Sequence, residues 1–434
     1  MGHLFFGGVE PPHKKDMSLS DDPLRSIAPM QVVIPLQQHI GTPCLPLVQV
    51  GDTVRAGQKI GDGEGLCVPV HASVSGQVTA IASHPHPSGK EAAAIVIRSA
   101  DASSSSLQTA VPLGSAAEAD AVLAAIREAG VVGMGGAAFP GNAKALSAKG
   151  NVDTLIANGC ECEPYITADD MLLRTQAEQV LQGLQILQRL LQPQRTVLAI
   201  EENKAAAIDR VRRCCADFPE TELAVLPTRS PQGSEKQLIQ ALTGREVPAG
   251  KLPAAAGCAV FNVSTCAAVF RAVALGLPVT HRIVTVSGEA VSRPQNFLVP
   301  IGTTFRELLC AAGLGSNVHR VISGGAMMGR AQSSLDVPVV KATNAVLALP
   351  YDKSAVTKDA GCIRCGKCVA VCPMHLQPLC LYRYEKLRRP EQLRQLHISD
   401  CIECGSCSYI CPAKLPLVER FRCGKQLLKE AGAS

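Results

Sequence analysis

Two hydrophobic rhythms alternate along this chain and change at recognisable places. Between residues 30 and 98 apolar positions recur every second residue, in short bursts separated by turn residues. In the stretch from Val48 to Gly61, alternating apolar residues flank Gly51-Asp52 and Ala56-Gly57. A second half runs from Val68 through His71 to Val78. Period two broken by such turns predicts short strands joined as hairpins. Asp101-Ala102-Ser103-Ser104-Ser105-Ser106 has no periodicity and predicts a linker. The rhythm then lengthens. Ser115-Ala116-Ala117-Glu118 has the form of a capping box, and Ala119, Val122, Leu123 and Ile126 fall on one helical face. Beyond it, strands are expected at 153–158, 196–200, 222–226 and 258–263, and helices at about 170–191, 203–215, 234–243 and 265–275. Alternation of this kind implies a parallel sheet covered by helices.

The pattern shifts again after residue 280. Arg282–Ser287 and Phe297–Ile301 read as strands, Thr303–Ala312 as a helix carrying Phe305, Leu308 and Leu309, and 320–323 and 346–349 as further strands. That order suggests a small ubiquitin-like α+β unit. The last stretch is helical, with Pro378–Leu387, Pro390–Leu396 and 416–431 placed around two cysteine runs.

Those runs carry the clearest chemistry. Cys362, Cys365, Cys368 and Cys372 are spaced x2, x2, x3 and followed by Pro373; Cys401, Cys404, Cys407 and Cys411 repeat the spacing and precede Pro412. Three closely spaced thiolates suit three irons of one cube, and the fourth reaches the neighbouring cube. The motif therefore assigns Cys362, Cys365, Cys368 and Cys411 to one 4Fe–4S cluster, and Cys401, Cys404, Cys407 and Cys372 to another. Zinc would favour two separated CxxC pairs.

Composition narrows the picture. Of 19 cysteines, eight belong to these runs; the other eleven sit mostly in apolar contexts and are expected to be buried free thiols. No run of about 18 apolar residues exists, so no membrane span is expected, and the N-terminus lacks the apolar core of a signal peptide. A cytoplasmic protein is expected. The chain has no Trp, 3% aromatic residues and a formal net charge of +5. Residues 353–434 hold 14 Lys and Arg against 7 Asp and Glu. Cations near the runs can offset anionic clusters, and can also dock an acidic partner. Nothing points to nucleic acid.

Four loops of the α/β region suit an anion. Gly133-Met134-Gly135-Gly136 brings backbone N–H groups forward without a Cβ in the way, and Lys144 follows. Asn158-Gly159-Cys160-Glu161-Cys162-Glu163 lies just past a predicted strand, where open sheets bind ligands. Gly233-Ser234-Glu235 opens a helix, with Ser234 and Gln237 expected as cap and reciprocal partner; Asn262-Val263-Ser264-Thr265 opens another. Each of the last three is individually explained by capping; all three are expected at strand-to-helix junctions on one edge of one sheet. If the electron source is a nicotinamide, a flavin is needed, because it takes two electrons and releases them singly.

In combination these segments resemble the C component of the Rnf (Rsx) ion-translocating electron transport complex. The likeness is carried by Gly7–Lys14, Gly133–Lys144, Asn158–Asp170, Pro231–Gln237, Gly244–Pro248, Asn262–Thr265, Gly324–Gly329 and the cysteine runs. The middle region is similar to the NADH-binding flavoprotein subunit of respiratory complex I. The resemblance implies a multidomain α/β plus α+β chain of four units: a carrier-like barrel-sandwich with an N-terminal arm (1–110), a Rossmann-like FMN/NADH domain (111–278), a ubiquitin-like SLBB-type domain (279–352) and a helical two-cluster ferredoxin domain (353–434).

It further implies that Gly133, Gly135, Gly136 and Lys144 hold flavin phosphate, that Phe139 stacks on the nucleotide, and that Asn158, Glu161 and Glu163 line flavin and nicotinamide. Gly233, Glu235, Asn262 and Thr265 are implied as further flavin contacts. Gly141, Ser230, Ser234 and Ala326 depart from the residues usual in relatives. The barrel has no lysine between Val68 and Thr79, so a swinging-arm carrier role is not implied. The implied function is electron input: NADH through FMN to two 4Fe–4S clusters and on to membrane subunits of an Rnf-type complex, with a ferredoxin-like partner reached indirectly. The implied location is the cytoplasmic face of the bacterial inner membrane, as a peripheral subunit. Two alternatives share the domains: a free flavin and iron–sulfur reductase such as a cobalamin reductase, and an electron wire whose nucleotide site has decayed.

Overall fold

The computed structural model describes residues 5–20, 23–100, 107–114, 117–352 and 361–432. The Asp101–Ser106 linker and the first half of the Ser115–Glu118 capping box lie outside the described residues.

The alternating segment near the N-terminus forms seven strands: β2 (Gln31–Pro35), β3 (Leu45–Pro46), β4 (Thr53–Val54), β5 (Lys59–Asp62), β6 (Val70–His71), β7 (Gly76–Pro85) and β8 (Glu91–Ser99). They are preceded by β1 (Arg25–Ser26), which belongs elsewhere. Two sheets, ordered β2-β8-β7-β4 and β3-β5-β6, close on a core that includes Val32, Ile34, Ile60, Val70, Ile95 and Ile97. Side chains at every second position point inward, which is why period two sufficed to find this unit.

Helices α1 (Ala119–Glu128) and α2 (Gly141–Ala148) flank the glycine loop. Glu118 is the N-cap residue of α1 and makes no side-chain capping bond. The sheet that follows is wholly parallel, ordered β11-β10-β9-β12, from β9 (Thr154–Gly159), β10 (Arg195–Glu201), β11 (Thr221–Leu226) and β12 (Cys258–Asn262). Its crossovers are α3 (Ala168–Leu191), α4 (Ala205–Cys214) and α5 (Glu235–Thr243), with α6 (Val263–Leu275) after β12. Leu155 and Ala157 face the core shared with α3 and α6, whereas Ile156 faces the other side against Leu238 and Ile239 of α5. Burial on both faces follows from a sheet with helices on each side.

The third unit is β13 (His281–Ser287), β14 (Gln295–Pro300), α7 (Phe305–Ala312), β15 (Val318–Ser323), β16 (Arg330–Gln332) and β17 (Ala345–Pro350). Thr304 and Glu307 form a complete capping box for α7, and Phe305, Leu308 and Leu309 are fully buried. The N-terminal strand β1 adds to this sheet by pairing parallel to β14. The last unit is helical: α8 (Lys367–Ala370), α9 (Pro378–Lys386), α10 (Pro390–Gln395), α11 (Ser406–Ile410) and α12 (Leu417–Glu430), packed around Leu381, Leu393, Ile398 and Phe421.

The units are stitched together by polar contacts. The N-terminal arm reaches the α/β unit and the cysteine unit. Gly8 donates its N–H to the Val371 carbonyl, Val9 pairs with Ser230, and the Lys15 ammonium donates to the carbonyls of Glu161, Glu163 and Ile166. The expected reciprocal cap of α5 is not formed. Ser234 caps without a side-chain bond, and the Gln237 amide donates instead to the Pro373 carbonyl in the cysteine region at 3.4 Å. A tertiary acceptor thus replaces the local one. The expectation of buried thiols holds for Cys44, Cys67, Cys160, Cys214, Cys258 and Cys266. It fails for Cys310 and Cys423, which are exposed on outer helix faces.

Candidate functional site

One cavity of about 760 Å³ collects residues from all four units. Its α/β wall is made where strands end and helices begin. Asn158, Cys160, Glu161 and Cys162 lie at the end of β9 and just beyond, Gly233 and Ser234 precede α5, and Asn262 ends β12. A parallel sheet splays its carboxyl ends, so these turns face one crevice. Gly135 and Gly136 border the same space. A Cβ on Gly136 would meet nothing within 4 Å and would project into open volume. The bare backbone there, with the first turns of α5 and α6, offers N–H groups and helix dipoles to an anionic ligand. This cradle fits a flavin nucleotide phosphate.

Asn158, Glu161, Glu163, Gly135, Gly136, Gly233 and Asn262, all expected from the sequence, line the cavity; Gly133, Phe139, Lys144, Glu235 and Thr265 are not in its lining. The structure explains their other work. Gly133 pairs with Phe139 across the base of the glycine loop. The Thr265 hydroxyl accepts from the Met134 N–H at 2.9 Å, which anchors that loop from behind. Lys144 and Glu235 form an ion pair with each other, and the Lys144 ammonium also lies 5.5 Å from the Phe261 ring centre. Asn262 caps α6 by accepting from the Ser264 N–H, and it donates to Asp169 at 2.6 Å.

Three supports went unread in the sequence. Asp169 lines the cavity and also accepts from the Ser264 hydroxyl. Lys15 and Lys204 lie beneath the Glu161–Ile166 turn. Lys204 is fully buried, 2.8 Å from Glu201, and reaches the Glu161 carbonyl at 3.4 Å. The one sequence clue was a lysine pair, Lys14-Lys15, at the end of an otherwise largely apolar arm.

Glu161 is buried, and its carboxylate accepts the Asp169 N–H at 3.0 Å. Burial, opposed by Lys15 and reinforced by Asp169, pushes its pKa up from 4.5 to about 7. The folded chain therefore holds a proton that the unfolded chain has released over this interval. Folding stability must fall as pH rises from about 4.5 to about 7, and level off above. Glu161→Gln is expected to flatten that decline, measured as melting temperature against pH; a variant with the same slope as the parent would refute the assignment.

Glu163 works differently. Its carboxylate accepts the N–H groups of Met327 and Met328 at 3.0 and 2.8 Å. This fastens the Gly324–Gly329 loop of the third unit to the cavity. From the other side Arg422 of α12 donates to the Met328 carbonyl at 2.7 Å. The loop is thus held between the α/β unit and the cysteine unit.

The cysteines fall into two rings. Cys362, Cys365, Cys368 and Cys411 line one small void; Cys372, Cys401, Cys404 and Cys407 line a second. The two runs repeat one backbone course. Arg364 and Glu403 share φ of 56°, Gly366 and Gly405 take 76° and 82°, and His375 and Lys414 both take 52°. In each first turn an N–H donates to a cysteine sulfur at 3.4 Å, from Arg364 to Cys362 and from Glu403 to Cys401. Such bonds favour the thiolate. Among the described residues no three metal-binding side chains gather as a single ion would require. Four thiols around each void, drawn from two x2-x2-x3 runs, fit the donor sets of multi-iron clusters. Cys404 and Ile402 line the second void and also the large cavity, so the two spaces share a wall. The other void lies nearer solvent, with Cys362 and Cys365 exposed.

Fold and site together define a flavin-binding, iron–sulfur electron-transfer protein built on a Rossmann-like domain. Comparison with known families agrees unit by unit. Residues 3–102 match the RnfC barrel sandwich hybrid domain, 126–271 the Nuo51 FMN-binding domain, 283–331 the SLBB domain and 354–412 a 4Fe-4S dicluster domain. The chain is 42% identical to the C component of the Na(+)-translocating ferredoxin:NAD(+) oxidoreductase complex of Acetobacterium woodii, over 97% of this chain and 96% of that one. It is 44% identical to the C component of the ion-translocating oxidoreductase complex of Pectobacterium carotovorum, covering 96% of this chain but 56% of the longer relative. The proton-translocating counterpart from Clostridium ljungdahlii is 41% identical over 86% of this chain and 82% of its own length. An NAD+-reducing [NiFe]-hydrogenase in the H2-reduced state is a more distant likeness, with 18% identity, 75% and 66% coverage and a TM-score of 0.49. The chain belongs to the RnfC family, the C components of Rnf-type ion-translocating oxidoreductase complexes. These relatives favour a member of a complex over the cobalamin-reductase alternative. Among the described residues no helix is long and apolar enough to cross a membrane.

Proposed function

We propose that this chain is the electron-input subunit of an Rnf-type complex, exchanging electrons between NADH and membrane partner subunits by way of FMN and two 4Fe–4S clusters. The observation that carries this reading is the wall shared by the nucleotide-sized cavity and the void ringed by Cys372, Cys401, Cys404 and Cys407. FMN supplies the exchange of a hydride's electron pair for single electrons, and the clusters carry electrons singly. The residues of the chain bind and orient. The Gly135-Gly136 backbone and the α5 and α6 N-termini take the phosphate, Asn158, Glu161 and Glu163 border the ring system, and the eight run cysteines hold iron in the crossed sets. The working units are 1–110, 111–278, 279–352 and 353–434.

Two relatives are components of ferredoxin:NAD(+) oxidoreductase complexes named as translocating Na+ or protons. Ion movement would rest with partner subunits, and this chain would sit peripherally at the cytoplasmic face. The exposed Cys362–Cys365 turn, set in the most basic part of the chain, supports docking of an acidic partner there.

Anaerobically purified protein is expected to contain one flavin and about eight irons per chain, and NADH should bleach the flavin absorbance. Full iron loading with no flavin affinity would refute the proposal and favour the electron-wire alternative.

A further inference from the structure

The cavity has a second wall that the α/β unit does not supply. The barrel contributes the loop Gln37–Ile40 and the tip of the β7–β8 hairpin, His86–Ser88. Several bonds fix them there. Ile40 donates its N–H to the Ala138 carbonyl of the glycine loop at 3.0 Å. His86 is placed between the Gln37 carbonyl and the Ser88 hydroxyl, at 3.0 and 2.8 Å. Gln332 donates to the Pro87 carbonyl at 3.1 Å, and Arg330 to the Ser88 carbonyl at 3.3 Å. The hairpin tip therefore rests on β16 and closes one side of the cavity.

The charges in the lining are unequal. Glu161, Glu163 and Asp169 bring three carboxyl groups, and Arg330 is the one Lys or Arg side chain among the described residues of the lining. A guanidinium has five donors, and the Ser88 carbonyl takes one of them. The cavity thus holds two anion-suited places, the glycine cradle with its helix N-termini, and the Arg330 corner with the barrel hairpin. A flavin mononucleotide carries a single phosphate. A second anionic group calls for a second ligand, and the cavity's volume lies in the upper part of the usual range for ligand sites, roughly 300–1,000 Å³.

We propose that the Arg330 corner and the His86–Ser88 hairpin bind the diphosphate and adenylate half of NAD(H), which makes the barrel a substrate-recognition wall. This rests on the proposed function and adds a subsite to it. The barrel fold of a carrier is here used without a carrier's lysine. Its hairpin tip is held down against β16.

The test uses the intact, flavin-loaded and cluster-loaded chain. Binding of NAD+ and of nicotinamide mononucleotide is measured by calorimetry, and kcat/KM is measured for their reduced forms. Mononucleotides lack the adenylate half. Loss of a charge-assisted contact should lower the preference for the dinucleotide about tenfold in Arg330→Ala, with partial recovery in Arg330→Lys. Ser88→Trp, which fills the corner from the barrel side, should lower the same ratio. A ratio unchanged in Arg330→Ala and Ser88→Trp would overturn the subsite. So would loss of flavin from Arg330→Ala, because it would mean that the guanidinium holds the flavin phosphate. Failure of NADH to bleach the unaltered protein would instead defeat the parent proposal.

Discussion

Cys411→Ala is expected to lower the iron content from about eight atoms per chain to about four or fewer, and the loss should begin at the ring formed by the other run. Cys411 stands in sequence with Cys401, Cys404 and Cys407, but it lines the void of Cys362, Cys365 and Cys368. The reciprocal change, Cys372→Ala, should strike the ring that shares a wall with the nucleotide cavity. The two variants therefore differ in a readable way. Cys411→Ala should retain a NADH-reducible cluster signal by electron paramagnetic resonance, whereas Cys372→Ala should lose NADH-driven reduction of the remaining iron. Cys372, Cys407 and Leu417 belong to one apolar core, so iron below four atoms in either variant is also consistent with the crossed rings acting as one folding unit. Full iron in either variant would refute the crossed arrangement.

Lys204→Met is expected to destabilise the α/β unit by about 3–5 kcal/mol, because removing one member of a buried pair strands the other. Lys204 and Glu201 are both fully buried and 2.8 Å apart. Burial alone would lower the Lys204 pKa; Glu201 and Glu161 more than offset it, so the ammonium is held charged. Without it the Glu201 carboxylate faces the interior alone and the Glu161 carbonyl loses a donor. Thermal unfolding at neutral pH checks this. A melting temperature within a degree or two of the parent at neutral pH would sink the prediction. Flavin content should fall along with stability, since the same lysine supports the turn that carries Glu161 and Glu163.

Much of the architecture was readable in order along the chain. The parallel strands, their helices, α7 and the helices around the cysteine runs fall within a few residues of where the periodicity puts them. Local pattern suffices there because each element buries one face and repeats it. The grouping of the eight run cysteines around two voids was equally legible, since it is written into their repeated spacing. The glycine and strand-end loops were visible as anion-suited turns, and seven of the twelve residues drawn from them do line the cavity.

What escaped the sequence depends on partners far away along the chain. Gln237 looked like half of a local cap and instead reaches Pro373. Lys144 looked available to a phosphate and is paired with Glu235, while Thr265 braces Met134 from behind. No pattern near Lys15 announces that its ammonium will be buried under the distant Glu161–Ile166 turn, and none near His86 or Arg330 announces a cavity wall. The amino-acid sequence pointed to the cysteine rings as a crossed pair, because in this repeated spacing three sulfurs share one turn and the fourth is displaced towards the other run. Tertiary structure alone decided that one ring, the one containing Cys404, would back onto the nucleotide cavity. That neighbourhood is set by long-range hydrogen bonds through Glu163, Met328 and Arg422, and such contacts leave no period along a chain.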